Sequence, residues 1–243
     1  MSFKKMILPT TIIATMGIAS ISTANADSGW YIGAKLNFVD GTDVDSTSTE
    51  PVAGVSRRLR VEGDSDTDLG IHIGKTIWKS KSGDSLSLEL SYADSEQDIS
   101  SITFMDNNFS ASQGTAEGSF SFESILLSAI YKWNIGQVNP YVGLGVGSVD
   151  FDVDGRYGGS VGLGQQASPP FATSGDSATA INFRVGLEYN ISKQFGLFAE
   201  YSKTDVDDIE FSRTGGGPGG LATTSQEGDF DFDTFSIGVN YRF

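Results

Sequence analysis

Apolar side chains occupy every second position along eight segments of the chain. A repeat of two residues predicts β-strands, because successive side chains of a strand point to opposite faces of a sheet. Most of the segments approach the roughly 9–11 residues that a tilted strand needs to cross a bilayer. The alternating positions lie within 30–38, 69–77, 86–92, 125–133, 142–146, 181–191, 195–201 and 235–243.

The connections between these segments alternate between short and long. The short ones are 79–85, 134–139 and 192–194, and the long ones, rich in Gly, Ser, Thr and Asp, follow Phe38, Tyr92, Val146 and Tyr201. Short turns at one end and long loops at the other are typical of outer-membrane barrels. The pattern therefore predicts an all-β fold: an eight-stranded antiparallel transmembrane β-barrel with short periplasmic turns and long extracellular loops.

The beginning of the chain has the features of a signal peptide. Lys4 and Lys5 supply a positive start, and an apolar run over 6–21 follows. Ala24 and Ala26 match the small-x-small cleavage pattern. An anchor helix is disfavoured because Thr and Ser interrupt the apolar run. We expect export through the Sec pathway and cleavage after Ala26, so that 1–26 is the signal peptide and 27–243 is the barrel domain.

The faces opposite the apolar ones distinguish a membrane barrel from a soluble barrel. A soluble eight-stranded barrel would bury its apolar face and present polar side chains to water. Here the opposite faces are rich in glycine, which weakens a strand but leaves room inside a narrow barrel. Aromatic residues also bound the apolar band, as the girdles of membrane barrels do. They are Trp30, Trp133, Tyr189, Tyr241 and Phe243 at the periplasmic end and Phe38, Tyr92, Tyr201 and Phe235 at the other.

Three segments resemble parts of known outer-membrane barrels. Segments 140–147 and 195–201 resemble strands of the small barrels of the opacity-protein and outer membrane protein A type. The end of the chain resembles the C-terminal signal of outer-membrane barrels, with apolar residues at Phe235, Ile237, Val239, Tyr241 and Phe243. The resemblance covers the whole mature chain and implies recognition by the outer-membrane assembly machinery. Members of this group include surface antigens and adhesins.

The amino-acid composition limits the partners and the metal sites that the protein can have. The chain has 31 acidic and 16 basic residues and a net charge of −15, which argues against a nucleic-acid partner because phosphates would be repelled. It has no cysteine and one histidine, which excludes thiolate and multi-histidine metal sites. Segment 150–155 begins like a calcium loop, but Val161 stands where that loop needs Glu. We expect no cofactor and no metal site beyond loose binding of divalent cations.

The single histidine, His72, does not predict catalysis. Acyl-transfer enzymes need a histidine beside a serine and usually a carboxylate. Parity points His72 inward from the middle of the second strand, and the residues after it, Ile73 and Gly74, supply no serine. A protease of the omptin type would need ten strands, whereas the pattern gives eight. We therefore predict that the protein is not an enzyme.

A set of charged residues falls on the inward faces of the strands. An unpaired charge in an enclosed interior is costly, whereas paired charges fill the space with hydrogen-bonded ion pairs. Eight strands leave an interior that side chains can fill, which argues against a wide porin channel. The predicted interior ion pairs join Lys35, Lys132, Arg184 and Arg242 to Glu89, Glu188 and Glu200.

The apolar pattern changes phase at the long-loop end of four strands. Phe120 and Phe122, for example, are out of step with 125–133, and Phe151 is out of step with 142–146. If the strands continue without a bulge, these aromatics point inward and the neighbouring acids point outward, as water requires. A β-bulge at each exit would also shift the phase by one residue. The first alternative predicts a cuff above the membrane, whose acids could bind lipopolysaccharide phosphates through Mg²⁺ or Ca²⁺.

These features favour a non-enzymatic protein that presents long loops at the cell surface. The loops would serve adhesion, antigenic display or envelope integrity. A small or gated channel is the first alternative, and an outer-membrane lipid-modifying enzyme is the second. The expected partners are outer-membrane lipids and lipopolysaccharide, the outer-membrane assembly machinery, and host or envelope ligands of the loops.

Overall fold

The computed structural model describes residues 28–40, 43–50, 55–106, 109–158, 170–172, 176–217 and 220–243. Its strands are β1 Trp30–Val39, β2 Asp43–Glu50, β3 Val55–Gly63, β4 Asp66–Lys79, β5 Ser85–Asp106, β6 Phe109–Lys132, β7 Val138–Gly158, β8 Pro170–Ala172, β9 Asp176–Asn190, β10 Phe195–Gly217 and β11 Gly220–Arg242. The predicted signal peptide, with Ala24 and Ala26, lies outside these residues. In this part of the chain no helix is long and apolar enough to cross a membrane.

Eight of the strands close into an antiparallel barrel. They pair in the order β1, β4, β5, β6, β7, β9, β10 and β11, and β11 pairs again with β1. The predicted all-β class and the closed eight-stranded barrel are confirmed. The three short connections lie at one end, where residues 80–84, 133–137 and 191–194 join neighbouring strands.

The long connections differ from the prediction, since strands fill most of their described length. Strands β5 and β6 pair up to Asp106 and Phe109, and β10 and β11 pair up to Gly217 and Gly220. The hairpin of β2 and β3 pairs with β11 on one side and β5 on the other, so it continues the wall that β1 and β4 form below it. The change of phase at four strand exits predicted the first part of these extensions. It did not predict their outer parts or the β2–β3 hairpin, because strands outside a bilayer need no apolar outer face.

Five of the barrel strands, β5, β6, β7, β10 and β11, have 21 to 24 residues and are much longer than a membrane requires. Strand β6 has 24 residues, which span about 80 Å along the strand and roughly 60 Å along the barrel axis at the usual tilt. The apolar band of a membrane barrel is only about 25 Å tall. More than half of β6 therefore lies outside the hydrocarbon.

Where the strands leave the apolar band, inward and outward positions keep alternating without a break. The inward residues there become apolar and the outward residues become polar or acidic. The register of β6 with β7 is unbroken from Thr115 to Lys132. In β10 and β11 the one register shift lies between Val206 and Ile209, beyond the phase change. This arrangement confirms the continuous-strand alternative for these four strands and rejects a bulge at the exit.

An apolar core fills the interior of this upper part of the barrel. Phe120 is 1% exposed and Phe151 3% exposed, and their ring centroids are 5.9 Å apart. The other members are Val39, Ile99, Phe122, Leu126, Val149, Ala178, Ala180, Val206, Phe230 and Phe232. The acids of opposite parity are exposed: Glu123, Asp150, Asp152, Asp205, Asp207 and Asp231. Glu117 and Asp229 have the same parity as these acids, but their side chains lie outside the described ones.

The outer surface of the lower barrel is apolar, with the girdle residues Trp30, Phe38, Trp133, Tyr189 and Tyr201 exposed on it and Tyr92 partly so. The charged Lys75 interrupts the row of apolar outward residues on β4, and an aromatic contact accommodates it. The ammonium of Lys75 lies 5.0 Å from the centre of the Trp30 ring, a cation–π contact that accommodates the charge on this face. A register shift between Thr76 and Trp78 turns Ile77 and Trp78 outward together, so Trp78 joins the aromatic girdle.

Candidate functional site

The inward side chains of β9 show how the interior changes along the barrel. Ala178 and Ala180 belong to the apolar core, Arg184 lies at mid-height, and Glu188 lies near the short turns. All four are buried. The interior is therefore apolar at the long-strand end and charged toward the short-turn end.

Four charged residues at mid-height form what we call the central cluster: Lys35, Glu89, Arg184 and Glu200. Arg184 Nη1 donates to Glu89 Oε1 at 2.8 Å and lies 3.6 Å from Glu200 Oε2. Lys35 Nζ donates to Glu200 Oε1 at 3.1 Å. Two cations thus balance two carboxylates, as buried charges require.

Neutral side chains complete the hydrogen bonding of the central cluster. The hydroxyl of Tyr31 donates to Glu89 at 3.0 Å, and that of Tyr141 donates to Glu200 at 3.1 Å. Arg184 also donates to Asn182 at 3.1 Å and to Ser128 at 2.9 Å. The sequence pattern did not predict these hydrogen-bond partners, although their alternation with the outward apolar residues places them on the inward face.

Aromatic rings cover several of the inward glycines. In three cases the ring and the glycine are direct cross-strand partners, and a Cβ on the glycine would collide with the ring. The pairs are Tyr31 with Gly74, Tyr141 with Gly186, and Phe198 with Gly238. The glycines were expected to admit large charged side chains. Gly143 does so for Arg184, Gly70 for Lys35, and Gly196 for Arg242 and Glu188, so the inward glycines make room for charged side chains as well as for aromatic rings.

Three charged residues near the short turns form what we call the mouth cluster: Lys132, Glu188 and Arg242. Glu188 Oε2 accepts from Lys132 Nζ at 2.8 Å and from Asn240 Nδ2 at 2.7 Å. Glu188 Oε1 pairs with Arg242. One carboxylate is therefore shared by two cations, and all seven predicted interior charges lie in one or the other cluster.

His72 lies between the two clusters. Its Nε2 is 2.7 Å from Asn240 Oδ1 and 3.8 Å from Glu89 Oε2, while Tyr31 and Phe198 pack edge-on against the ring. Its Nδ1 is buried without a hydrogen-bond partner. No hydrogen bond joins His72 to a serine among the described residues, so the arrangement of an acyl-transfer site is not formed there.

Two spaces lie in the charged half of the barrel. A cavity of about 20 Å³ between the clusters holds about one water molecule. A larger space of about 540 Å³, which we call the vestibule, opens at the short-turn end between Trp30, Lys79, Trp133, Lys193 and the mouth cluster. The buried side chains packed around the small cavity separate the vestibule from the apolar core.

The remaining predicted sites lie on the outside of the barrel. Ile237 and Val239 of the C-terminal segment are exposed, as is Phe235, and Tyr241 and Phe243 are partly exposed. No three acidic or histidine side chains converge on a metal site among the described residues. In the turn at 80–84, hydrogen bonds from the Asn134 backbone and from Ser82 lower the pKa of Asp84 below its ordinary value.

Comparisons with known proteins agree with this architecture. The family model of the outer membrane protein beta-barrel domain matches residues 11–243. No curated protein matches the chain in sequence. Among solved structures, the chain is similar to the outer membrane protein OprG from Pseudomonas aeruginosa, with 18% identity, a TM-score of 0.58, and coverage of 89% of this chain and 96% of that one.

Two further solved structures are similar in fold. The outer membrane protease OmpT from Escherichia coli has 6% identity and a TM-score of 0.56, with 93% of this chain and 100% of that one covered. A major outer membrane protein from Thermus thermophilus has 11% identity and a TM-score of 0.54, with 88% and 99% covered. At these identities the likeness is one of fold alone.

Proposed function

The chain belongs to the outer membrane protein beta-barrel domain family, and from this we propose that it is a sealed, non-catalytic barrel that displays its long outer end at the cell surface. One observation carries the proposal. The interior is closed at mid-height by buried ion pairs and above them by an apolar core that is rich in aromatic side chains.

The two fillings oppose the passage of solutes for different reasons. Arg184 is 2% exposed and its guanidinium is held by Glu89, Ser128 and Asn182, so moving it would break several buried hydrogen bonds at once. The apolar core above it offers no partner to a hydrated ion, which would have to lose its water. A solute would have to displace both fillings to cross.

The outer end of the barrel is suited to contact with other surfaces. Its wall continues beyond the lipid-facing band as paired strands, which fix the positions of exposed side chains better than irregular loops would. The exposed acids, such as Asp150 and Asp152, give this wall a negative surface. Adhesion, antigenic display or envelope integrity would each use such a surface, with host or envelope ligands bound at its outer end.

The remaining proposed partners follow from the outer face. Its apolar band contacts outer-membrane lipids, and the negative wall above it adjoins lipopolysaccharide, whose phosphates divalent cations could join to the exposed acids. The described acids do not converge into a metal site by themselves, so any such cation would depend on lipid phosphates for its other ligands. The C-terminal segment would bind the outer-membrane assembly machinery.

We propose no catalysis because the interior side chains that the structure describes include no activated nucleophile. His72, the one histidine of the chain, bonds to Asn240 and packs against aromatic rings. The likeness to a protease is one of fold, and function depends on specific side chains that a fold does not supply. Analysis of lipid A acyl chains in cells with and without the protein would test this exclusion, and a difference in acylation would contradict it.

Conductance measurements test the sealed barrel. The purified protein, inserted in planar lipid bilayers, should give no discrete current steps above the leak of the bilayer. A shift in gel mobility on heating would verify that the inserted protein is folded. Steps of constant size in the unmodified protein would contradict the proposal and favour the channel.

A double variant separates a sealed barrel from a gated one. Replacing Glu89→Ala and Arg184→Ala together removes a buried pair without leaving either charge alone. The apolar core should keep this variant closed. Current steps that appear only in this variant would show that the ion pair alone closes a path, which is the behaviour of a gated channel.

A further inference from the structure

We propose that the vestibule binds a small oxyanion, a phosphate or a carboxylate group, from the periplasm. The periplasmic access rests on the orientation in the proposed function, whereas the binding chemistry rests on the vestibule itself. Among the described residues that line it are four cations, Lys79, Lys132, Lys193 and Arg242, and a single acid, Glu188. The space of about 540 Å³ accommodates a small organic anion with its hydration water.

The floor of the vestibule carries positive charge that the protein does not neutralise. Lys132 and Arg242 share the one carboxylate of Glu188. Their side chains are 23% and 26% exposed, so both still face water, whereas Glu188 is 1% exposed beneath them. An arriving oxyanion would meet the ammonium and guanidinium groups before it met the carboxylate.

The donors at the floor match the geometry of an oxyanion. A guanidinium presents paired N–H groups that fit a phosphate or carboxylate, and an ammonium adds up to three donors. Arg242 is steadied by its bond to Asn190 Oδ1 at 2.7 Å, which leaves other N–H groups of the guanidinium for a ligand. Lys79 and Lys193, both exposed at the rim, would draw an anion inward.

Neighbouring carboxylates do not cancel this charge. Asp84 is held within its own turn by Ser82 and by the backbone of Asn134, and it does not line the vestibule. Ser28 donates its hydroxyl to Phe243 O at 3.0 Å, and neither residue lines the vestibule. Elsewhere the chain is strongly acidic, with a net charge of −15, so the vestibule is a local positive site on a negative protein.

The vestibule is a blind pocket, which makes it a place for binding and not an entrance to a pore. The central cluster lies directly beyond it, and the cavity there holds only about one water molecule. An anion that enters would therefore stop at the mouth cluster and leave the same way.

Tryptophan fluorescence offers a direct test, since Trp30 and Trp133 line the vestibule. The third tryptophan, Trp78, is removed as Trp78→Phe so that both remaining reporters belong to the site. The purified full-length mature protein is titrated in detergent with glycerol 3-phosphate, with succinate, and with uncharged glycerol. We expect saturable changes with at least one anion that weaken as salt increases, and none with glycerol. Which anion binds more tightly identifies the preferred group.

Charge variants decide whether the vestibule is responsible. The double variant Lys79→Gln with Lys193→Gln should weaken binding roughly fivefold, because it removes two exposed cations from the rim. Lys81→Gln is the matched control, since this lysine belongs to a short-turn segment but does not line the vestibule, and it should leave binding unchanged. Glu188→Gln should tighten binding, because it releases both floor cations from the carboxylate that they share.

The rim variants alter exposed side chains, so they report even where Glu188→Gln does not fold. Absence of saturable binding by either anion would overturn the inference, as would equal weakening by Lys81→Gln and by the rim variants. Anion binding in detergent does not depend on conductance in a bilayer. A negative binding result would therefore overturn this inference without affecting the sealed barrel, and observed current steps would do the reverse.

Discussion

Tyr141 on β7 lies directly opposite Gly186 on β9, and its ring occupies the space that a side chain at position 186 would fill. The ring position brings the Tyr141 hydroxyl within 3.1 Å of Glu200, a carboxylate of the central cluster. Gly186 therefore makes room for the Tyr141 ring. The tyrosine in turn holds Glu200 in place within the central cluster.

Gly186→Ala should destabilise the barrel by about 1–3 kcal/mol, because the added methyl group forces the Tyr141 ring out of its place. Urea unfolding in detergent, followed by tryptophan fluorescence, measures the change. In a background of Tyr141→Ala the same substitution should cost less, since the collision with the ring is gone and only the close contact with the Ala199 carbonyl oxygen remains. Equal costs in the two backgrounds would show that the glycine and the tyrosine are not coupled.

Arg184→Ala should lower the free energy of unfolding by about 3–5 kcal/mol, since it leaves the buried carboxylates Glu89 and Glu200 without their shared cation. Adding Glu89→Gln removes one stranded charge and should recover part of the loss. Glu200 keeps Lys35 in both variants. An unfolding midpoint that is unchanged by Arg184→Ala would refute the role assigned to the central cluster.

Phe243→Ala should reduce the amount of protein in the outer membrane far more than it reduces folding in detergent. The Phe243 ring lies edge-on to Tyr241, with 5.2 Å between the ring centroids, and belongs to neither buried apolar cluster, so it contributes little to the interior. Cell fractionation measures the first quantity and heat-modifiable gel mobility the second. Phe195→Ala, an exposed aromatic on the neighbouring strand, is the control and should leave assembly near normal. Full membrane levels without Phe243 would count against an assembly signal.

Asp84 should make the stability of the short turn depend on pH. Its pKa is lowered in the folded protein by hydrogen bonds to its ionised form, chiefly from the Asn134 backbone. The stabilisation is therefore present above the unfolded pKa of about 4 and is lost as pH falls through the folded value. Unfolding midpoints of the wild type and Asp84→Asn should differ at neutral pH and converge in acid. A difference independent of pH would show that ionisation of Asp84 is not its cause.

The sequence predicted the barrel because hydrocarbon imposes a strict rule on one face of each strand. Leu144 and Val146 had to be apolar because they face outward to lipid. The alternate positions, such as Gly145, face the interior, where a side chain has to be small or paired. The same parity placed Arg184 and Glu188 inside. It did not give the pairings, because the contact between Arg184 and Glu89 depends on the stagger of strands that are distant in sequence.

Other features were beyond reach of the pattern for physical reasons. The outer parts of β5 and β6 are surrounded by water, which does not require an apolar outer face. Apolar and polar residues therefore alternate only weakly there. The register shift that exposes Ile77 and Trp78 together breaks the period of two within a single strand. The aromatic–glycine pairs could have been sought from inward Tyr and Phe residues, but matching each ring to its glycine again required the register.

Label accessibility across the exit of β7 tests the central claim, that one continuous strand passes from lipid to water while its inward face seals the barrel. The chain has no cysteine, so single spin labels can be introduced at Val146, Phe151 and Asp152 in membranes. A label at 146 should collide with oxygen dissolved in lipid, one at 152 with a water-soluble nickel complex, and one at 151 with neither. A label at 151 that is open to nickel, with the label at 152 protected, would contradict the account.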